Sequence, residues 1–434
     1  MATSVDECDG DGDGDGDGAM TSDPDPAAAR GVATTSHDER FRDDPHAVYD
    51  ALRADARACV PDPEYGRAIV TRYEVARALL RDKRFGVDAR RAAEGSYVRR
   101  IAGTGVVEGR GDNAYEPPLV LLDDPGHRRI RTLVGRAFNA RTVEEQRPRV
   151  ARIVGELYDA VAGRSEIDYV REIAGPLPAR VIAEMLGLAD ADPAAVKRWS
   201  EDILWGYDPE RDAARQRRLR EAYEAATATV RTTVAARRRE PRDDLISAMV
   251  RARDEEDRLS DLEIVSLCIQ LMVAGNVTTS DMIGNGVFHL LTRRDQWERL
   301  VARPDLVPGA VEELLRFDCP ITETARIAYE PADVDGCPVV SGDVLTLSLS
   351  AANHDPDVFA DPHELDVGRD ADGHLAFGSG IHVCLGAPLA RMEVQLAIGE
   401  LARRHPGARV ATERPPRRHL PFFRGLEALP LVLT

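Results

Sequence analysis

The stretch from Ser260 to Leu291, "SDLEIVSLCIQLMVAGNVTTSDMIGNGVFHLL", limits what this 434-residue chain can fold into. Ser260 and Glu263 form the S-x-x-E pattern, in which each side chain satisfies a backbone N–H at a helix start. From Leu262 to Val273 apolar residues fall on nearly every face of that helix, so other elements have to surround it. In its middle stand Gly275, Asn276, Thr278 and Thr279, followed by Gly284 and Gly286. Glycine costs about 1 kcal/mol in a helix interior, and threonine is only a middling helix former. Two explanations stay open. Either another element crosses closely there, or a ligand presses on exposed backbone beside the Thr278 hydroxyl.

The rest of the chain agrees with a mostly helical body carrying minor sheets. Helical spacing dominates from about 124 to 316, in segments such as "ARIVGELYDAVAG" and "PARVIAEMLGL". "AIVTRYEVARALLRD" reads as a short strand and then a helix. The valines and turn residues of "DVDGCPVVSGDVL" point to small hairpins. Two segments, 86–118 and 188–213, resist assignment and are candidate binding loops or lids. Trp199, Trp205 and Tyr207 in the second either face a ligand or pack a helix pair.

Composition excludes several classes. Six cysteines at 8, 59, 268, 319, 337 and 384 contain no CxxC pair, which argues against a disulfide scaffold or structural zinc and for a reducing cytoplasm. No signal peptide or membrane-spanning run is read. The net charge of −18 speaks against a nucleic-acid surface. Much of that charge lies in the first 26 residues, where "DGDGDGDGDG" begins at Asp9. Residues 1–35 read as a disordered acidic tail and 36–434 as one domain. A calcium loop in the tail would need Glu at its twelfth position, but Met20, Ser22 or Pro24 falls there.

The second decisive stretch is "FGSGIHVCLG", Phe377–Gly386, with glycines at 378, 380 and 386. Leu385, Leu389, Met392 and Leu396 follow at helical spacing, so Cys384 sits at a helix N-terminus. Unpaired N–H groups there favour a thiolate. Flanking glycines let a large flat group approach the backbone. The residues alone leave a haem ligand and a nucleophile both open.

"FGSGIHVCLG" resembles the F-x-x-G-x-[HR]-x-C-x-G signature of the cytochrome P450 family, and further segments follow in that family's order. "EELLR" supplies Glu313 and Arg316, with Arg369 of "LDVGR" as their third partner. "DDPGHRRIRTLVGRAF", "TARIA", "AGNVTT", "ANHDPDVFADP" and "RGLEALPLVL" match other family segments. The resemblance implies the P450 fold, with haem b between the long central helix and the Cys-loop helix. Cys384 would be the axial metal ligand. His127, Arg131, Arg326 and His382 would hold the haem propionates, with Phe377, Gly378 and Gly386 completing the cofactor site. Gly275, Asn276 and Thr278 would serve catalysis on the oxygen side.

The implied activity is a monooxygenase that places one oxygen atom from O2 into a hydrophobic small molecule, as a tailoring step in bacterial secondary metabolism. The alternatives are oxidative coupling or dehydrogenation without oxygen insertion, and a haem sensor without turnover. A ferredoxin and a ferredoxin reductase would supply electrons to a cytoplasmic monomer that engages neither membrane nor nucleic acid. Arg128, Arg129 and Arg136 are either a docking face or solvated arginines. Substrate contacts implied by the resemblance include Ala274, Ile321–Thr324 and Leu420–Phe423. One departure stands out: Val277 occupies the position where the family usually carries an acid. Water held by Asn276 and the Gly275 carbonyl would then carry protons to Thr278. Asp281 is either the acid behind that water or an ordinary solvated or salt-bridged helix residue.

Overall fold

In the computed structural model the Ser260 box closes in both directions. Ser260 Oγ accepts from the Glu263 N–H at 3.1 Å, and Glu263 Oε2 accepts from the Ser260 N–H at 2.7 Å. From this cap one unbroken helix runs Asp261–Thr292. The structure describes residues 41–42, 44–54, 57–102, 117–188, 192–208, 212–252 and 259–434. The acidic tail expected at 1–35 lies outside the described residues, as do 103–116 of the first unassigned segment.

The central helix is enclosed, as its all-round apolarity requires. Helices Pro176–Leu186, Pro193–Leu204, Ala213–Arg239, Val307–Phe317 and Ala387–Arg404 pack around it. By length and composition it passes for a membrane span, yet its apolar residues are buried inside the protein. The glycines after residue 280 mark close crossings rather than a kink. A Cβ on Gly286 would stand 3.2 Å from Leu314 and 3.5 Å from Ile398, on the two flanking helices.

Three small sheets sit beside the helical body. The largest has the order β1-β2-β8-β5-β3, from strands Val60–Asp62 (β1), Arg67–Val70 (β2), Val344–Ser348 (β8), Glu323–Ala328 (β5) and Phe85–Gly86 (β3). All its pairs are antiparallel except β2 with β8. A second sheet joins Glu166–Asp168 (β4), Pro430–Val432 (β10) and Arg409–Val410 (β9). The hairpin expected after Asp333 forms from Ala332–Val334 (β6) and Cys337–Val339 (β7). Its turn residues Asp335 and Gly336 have φ of 51° and 80°, the left-handed pair that a two-residue turn needs.

The segment 188–213 holds a helix, Pro193–Leu204. Its start follows a recognisable rule: Asp192 accepts from the Ala194 N–H at 3.0 Å, and Pro193 fills the first turn. Ser200 Oγ donates to the Met272 carbonyl at 3.3 Å and so anchors this helix on the central one.

A buried carboxylate joins the helices to the loops. Glu313 is fully buried and accepts from Arg316 Nε at 2.7 Å, Arg316 Nη2 at 2.9 Å and Arg369 Nε at 3.1 Å. The other Arg316 donors reach the carbonyls of Asn353, Pro362 and Glu364. Removing one partner of such a pair leaves an uncompensated buried charge, a loss of about 3–5 kcal/mol. The expected outcome for Glu313→Gln is therefore a loss of that size, read as a lower urea midpoint, with little soluble protein recovered at 37 °C.

Candidate functional site

The loop before helix Ala387–Arg404 is shaped by its glycines. Gly378 and Gly380 have φ of 68° and 74°, and a Cβ on Gly380 would lie 2.5 Å from the Leu80 carbonyl oxygen. The Cys384 N–H donates to the Phe377 carbonyl at 2.9 Å and closes the loop. Phe377 is pinned from behind by the Arg391 guanidinium, 4.6 Å from its ring centre, and Arg391 is itself held by Glu312. Cys384 is open to solvent together with Ile381 and Val383. Protein nonetheless crowds it enough that burial is the largest influence on its thiol and pushes its pKa up.

The Gly386 and Ala387 N–H groups and the Arg131 charge pull the other way. The helix-terminus effect expected from the sequence is thus present but outweighed. Ionising this sulfur calls for an added positive charge, as a bound metal supplies.

An edge of this space is lined by cationic and donor groups with little counter-charge: Asp124 Oδ1 stands 3.7 Å from His127 Nδ1, and Arg131 and Arg326 donate to carbonyls. Arg131 Nη2 donates to the Val383 carbonyl at 2.6 Å, which ties helix Gly126–Gly135 to the cysteine loop. His127 and His382 lie with ring centres 4.4 Å apart, and Nε2 of each is buried without a hydrogen-bond partner. Arg326, on β5, is buried, donates to the Ala325 carbonyl at 2.8 Å and forms no ion pair among the described residues. Burial, then the charges of Arg326 and His127, press the His382 pKa down to about 3; burial takes Arg326 down to about 10. A cavity of about 690 Å3 opens beside Arg326 and His382. Buried donors without acceptors are costly, so this cluster fits a guest with an anionic edge.

The central helix opens at one spot. Ala274 is exposed and Thr278, one turn on, half-exposed, in a run where nearly every neighbour is buried. Thr278 Oγ1 donates to the Ala274 carbonyl at 2.6 Å. Gly275 points its missing side chain at Ile182. At 100° per residue Asn276 faces away from Ala274 and Thr278, and it is buried with Nδ2 unpartnered. Thr278 is thus on the open face, whereas the Asn276 side chain is not brought to it.

Asp281 is buried, with Arg418 Nη2 3.3 Å from Oδ1. Arg418 also reaches Glu201 at 3.5 Å, and Glu201 pairs with Lys197. The salt-bridged alternative describes its contacts. Even so, burial outweighs Arg418 and raises its pKa from 3.8 to about 7. The sequence gives no signal for this network, because Arg418, Asp281 and Glu201 lie 80 or more residues apart.

Aromatic segments far apart in sequence converge here. The Thr322 N–H donates to the Phe422 carbonyl at 3.0 Å, and Ile321 bridges Phe423. Phe422 meets Tyr97 at 5.5 Å and Phe423 meets Tyr207 at 5.9 Å between ring centres. Phe422 has φ of 65°, a strained value for an aromatic residue. Trp199 and Trp205 stay half-buried against the core. Arg128 and Arg129 are each paired with a carboxylate, Asp124 and Glu263, while Arg136 is exposed.

An accessible cysteine sulfur, an edge of unmatched cations and an opened helix bearing a hydroxyl define a site for a flat, anionic, thiolate-ligated cofactor. Comparison with known proteins agrees. The family profile described as Cytochrome P450 matches residues 293–406. The chain is 36% identical over 398 residues to cytochrome P450 107B1 of Saccharopolyspora erythraea, covering 91% of this chain and 96% of that one. It is 38% identical over 401 residues to the cytochrome P450 monooxygenase PikC of Streptomyces venezuelae, covering 90% and 91%. Among solved structures, the myxobacterial cytochrome P450 CYP267B1 with myristic acid superposes with a TM-score of 0.82 at 36% identity, over 91% of this chain and 97% of that one.

The chain belongs to the cytochrome P450 family. It is a monooxygenase that carries haem on an axial cysteine thiolate, uses dioxygen, takes electrons from redox partners and binds a small substrate.

The Asp281 carboxyl makes a pH prediction. Between pH 3.8 and about 7 the folded state holds a proton that the unfolded state has lost, so stability falls as pH rises through that window. Asp281→Asn is expected to flatten the melting-temperature profile there relative to the wild type. Parallel profiles for the two proteins would contradict the assignment.

Proposed function

We propose that this protein inserts one oxygen atom from dioxygen into a hydrophobic small molecule, by hydroxylation or epoxidation. We place the step in the tailoring of a bacterial secondary metabolite, in the cytoplasm, with a ferredoxin and its reductase as electron source. The observation that carries this is the opening of the central helix at Ala274 and Thr278, within a protein whose cysteine loop is also open. Bound haem supplies the reductive activation of dioxygen and the transfer of an oxygen atom.

Each residue then has a task. Cys384 supplies the sulfur ligand from a loop whose backbone is fixed by Gly378 and Gly380. His127, Arg131, Arg326 and His382 would hold the anionic edge of the cofactor, which would give the unpartnered His127 and His382 nitrogens a partner. Phe377 and Gly386 bound the cysteine side, where a Cβ on Gly386 would meet nothing within 4 Å.

Thr278 exchanges its bond to the Ala274 carbonyl for one to a guest, and so orients oxygen and passes it a proton. The Gly275 carbonyl and Asn276 serve the helix around that hydroxyl. Val277 is buried and carries no proton, whereas Asp281, one turn beyond Thr278, holds one near neutral pH. Tyr97, Tyr207, Phe422 and Phe423 exclude water and present apolar surface, which suits a substrate with little charge. The likeness to PksS, a cytochrome P450 of the Bacillus subtilis bacillaene polyketide synthase, at 30% identity and a TM-score of 0.81, supports the secondary-metabolite reading.

Screening the holoenzyme against apolar candidates should yield one that displaces water and shifts the haem Soret band. With that substrate, labelled dioxygen is expected to put one labelled atom into the product; an unlabelled oxidised product would refute oxygen insertion. Thr278→Ala should lower product formed per electron pair by about 10²-fold, the usual contribution of a positioned proton donor. Cys384→Ser should abolish the red-displaced carbonyl absorption of the reduced protein.

A further inference from the structure

Away from the cofactor residues, three histidines meet where helix Pro45–Arg53 lies over helix Leu349–Asn353 and the loop beyond it. His46 and His354 have ring centres 4.1 Å apart, His46 and His363 5.4 Å, and His354 and His363 5.5 Å. One ring nitrogen from each lies within 4.8 Å of the others. His354 is fully buried, and its Nε2 has no hydrogen-bond partner; neither has His46 Nδ1.

The partners of the remaining nitrogens settle where the lone pairs are. His354 Nδ1 is 2.9 Å from the Ser350 carbonyl, which only accepts, so the proton is on Nδ1 and the lone pair on Nε2. His363 Nε2 is 3.0 Å from Asp50 Oδ2; a carboxylate only accepts, so in the neutral ring the proton is on Nε2 and the lone pair on Nδ1. A metal-binding histidine characteristically has its second nitrogen held by a carbonyl or carboxylate in this way.

We propose that His46, His354 and His363 form a binding site for a borderline divalent cation of the Zn2+ type, with Ser350 and Asp50 orienting two of the rings. Three imidazoles and an open fourth position suit Zn2+, Ni2+ or Cu2+ and not the oxygen-seeking Mg2+ or Ca2+. Metal–nitrogen bonds of about 2.0–2.1 Å require the lone pairs to close to about 3.3 Å. His363, with a side chain 43% exposed, has the freedom to swing inward. A bound ion would staple helix Pro45–Arg53 to the loop that carries Glu364 and Arg369.

The test uses haem-loaded full-length protein, freed of metal by chelator and dialysed against Zn2+. One tightly held Zn2+ per chain and a higher melting temperature are expected, with no response to Mg2+ at the same concentration. His363→Ala should weaken the binding at least 10-fold and Asp50→Asn about 10-fold, with the haem spectrum and the metal-free melting temperature unchanged. Should His46→Ala disturb folding, His363→Ala alone decides. A wild type that binds no stoichiometric Zn2+, or a His363→Ala protein that binds it equally well, overturns the proposal.

Discussion

The Glu313 carboxylate is the joint on which the arrangement turns. It lies in the interior, out of reach of bulk solvent, so its two arginines are obligatory rather than ornamental. Arg316 spends its donors on Glu313 and on carbonyls at 353, 362 and 364, which lie in a stretch with little regular structure. A loop of that kind carries backbone groups that must find partners, and one guanidinium provides three of them. Arg369 then fixes the far end of the same loop on the same carboxylate. The cysteine loop begins only a few residues later. Its position relative to the central helix follows from a charge pair and not from apolar packing alone.

The sequence made the helical skeleton and the cysteine loop readable because both obey short-range rules. The S-x-x-E cap, the all-round apolar run and the spaced glycines act within one turn or one loop. The Asp335-Gly336 turn was legible for the same reason, since only certain residues tolerate positive φ. The helix at Pro193–Leu204 was readable in principle from its Asp-Pro start, but charged and small residues diluted its apolar stripe. What escaped is long-range. Buried Arg67 joins Asp62 at 2.8 Å to Glu323 at 2.6 Å, across two strands that lie 256 residues apart in the chain. Nothing local distinguishes that arginine from a solvated one.

The candidate site shows the same division. Cys384, Gly378 and Gly380 were legible from the backbone geometry they impose. Asn276 was grouped with Thr278 because they are neighbours in sequence, yet a helix turns adjacent residues to different sides. Arg128 and Arg129 read from the sequence as either a docking face or solvated arginines, and only the fold shows Asp124 and Glu263 against them. Asp281 illustrates a third case. Its neighbours in sequence say nothing of Arg418 or Glu201, and its proton affinity is set by burial against segments brought there by the fold.

Buried polar atoms without partners carry information that burial and packing do not. Most such atoms in a folded chain are satisfied, so each orphan needs a cause. Four of them fall in two facing pairs of histidines. His127 and His382 face one another beside Arg326, with both Nε2 atoms unpartnered and Asp124 on the far side of His127, 3.7 Å from Nδ1. His46 and His354 face one another elsewhere, where the lone pair of His354 Nε2 lacks any donor and His46 Nδ1 is unpartnered. The two clusters are electrical opposites. The first suits an anionic edge and the second a cation, and in each the neighbouring groups hold the rings in place. A chain that tolerates two such concentrations of unmet bonding is one whose fold is completed by what it binds.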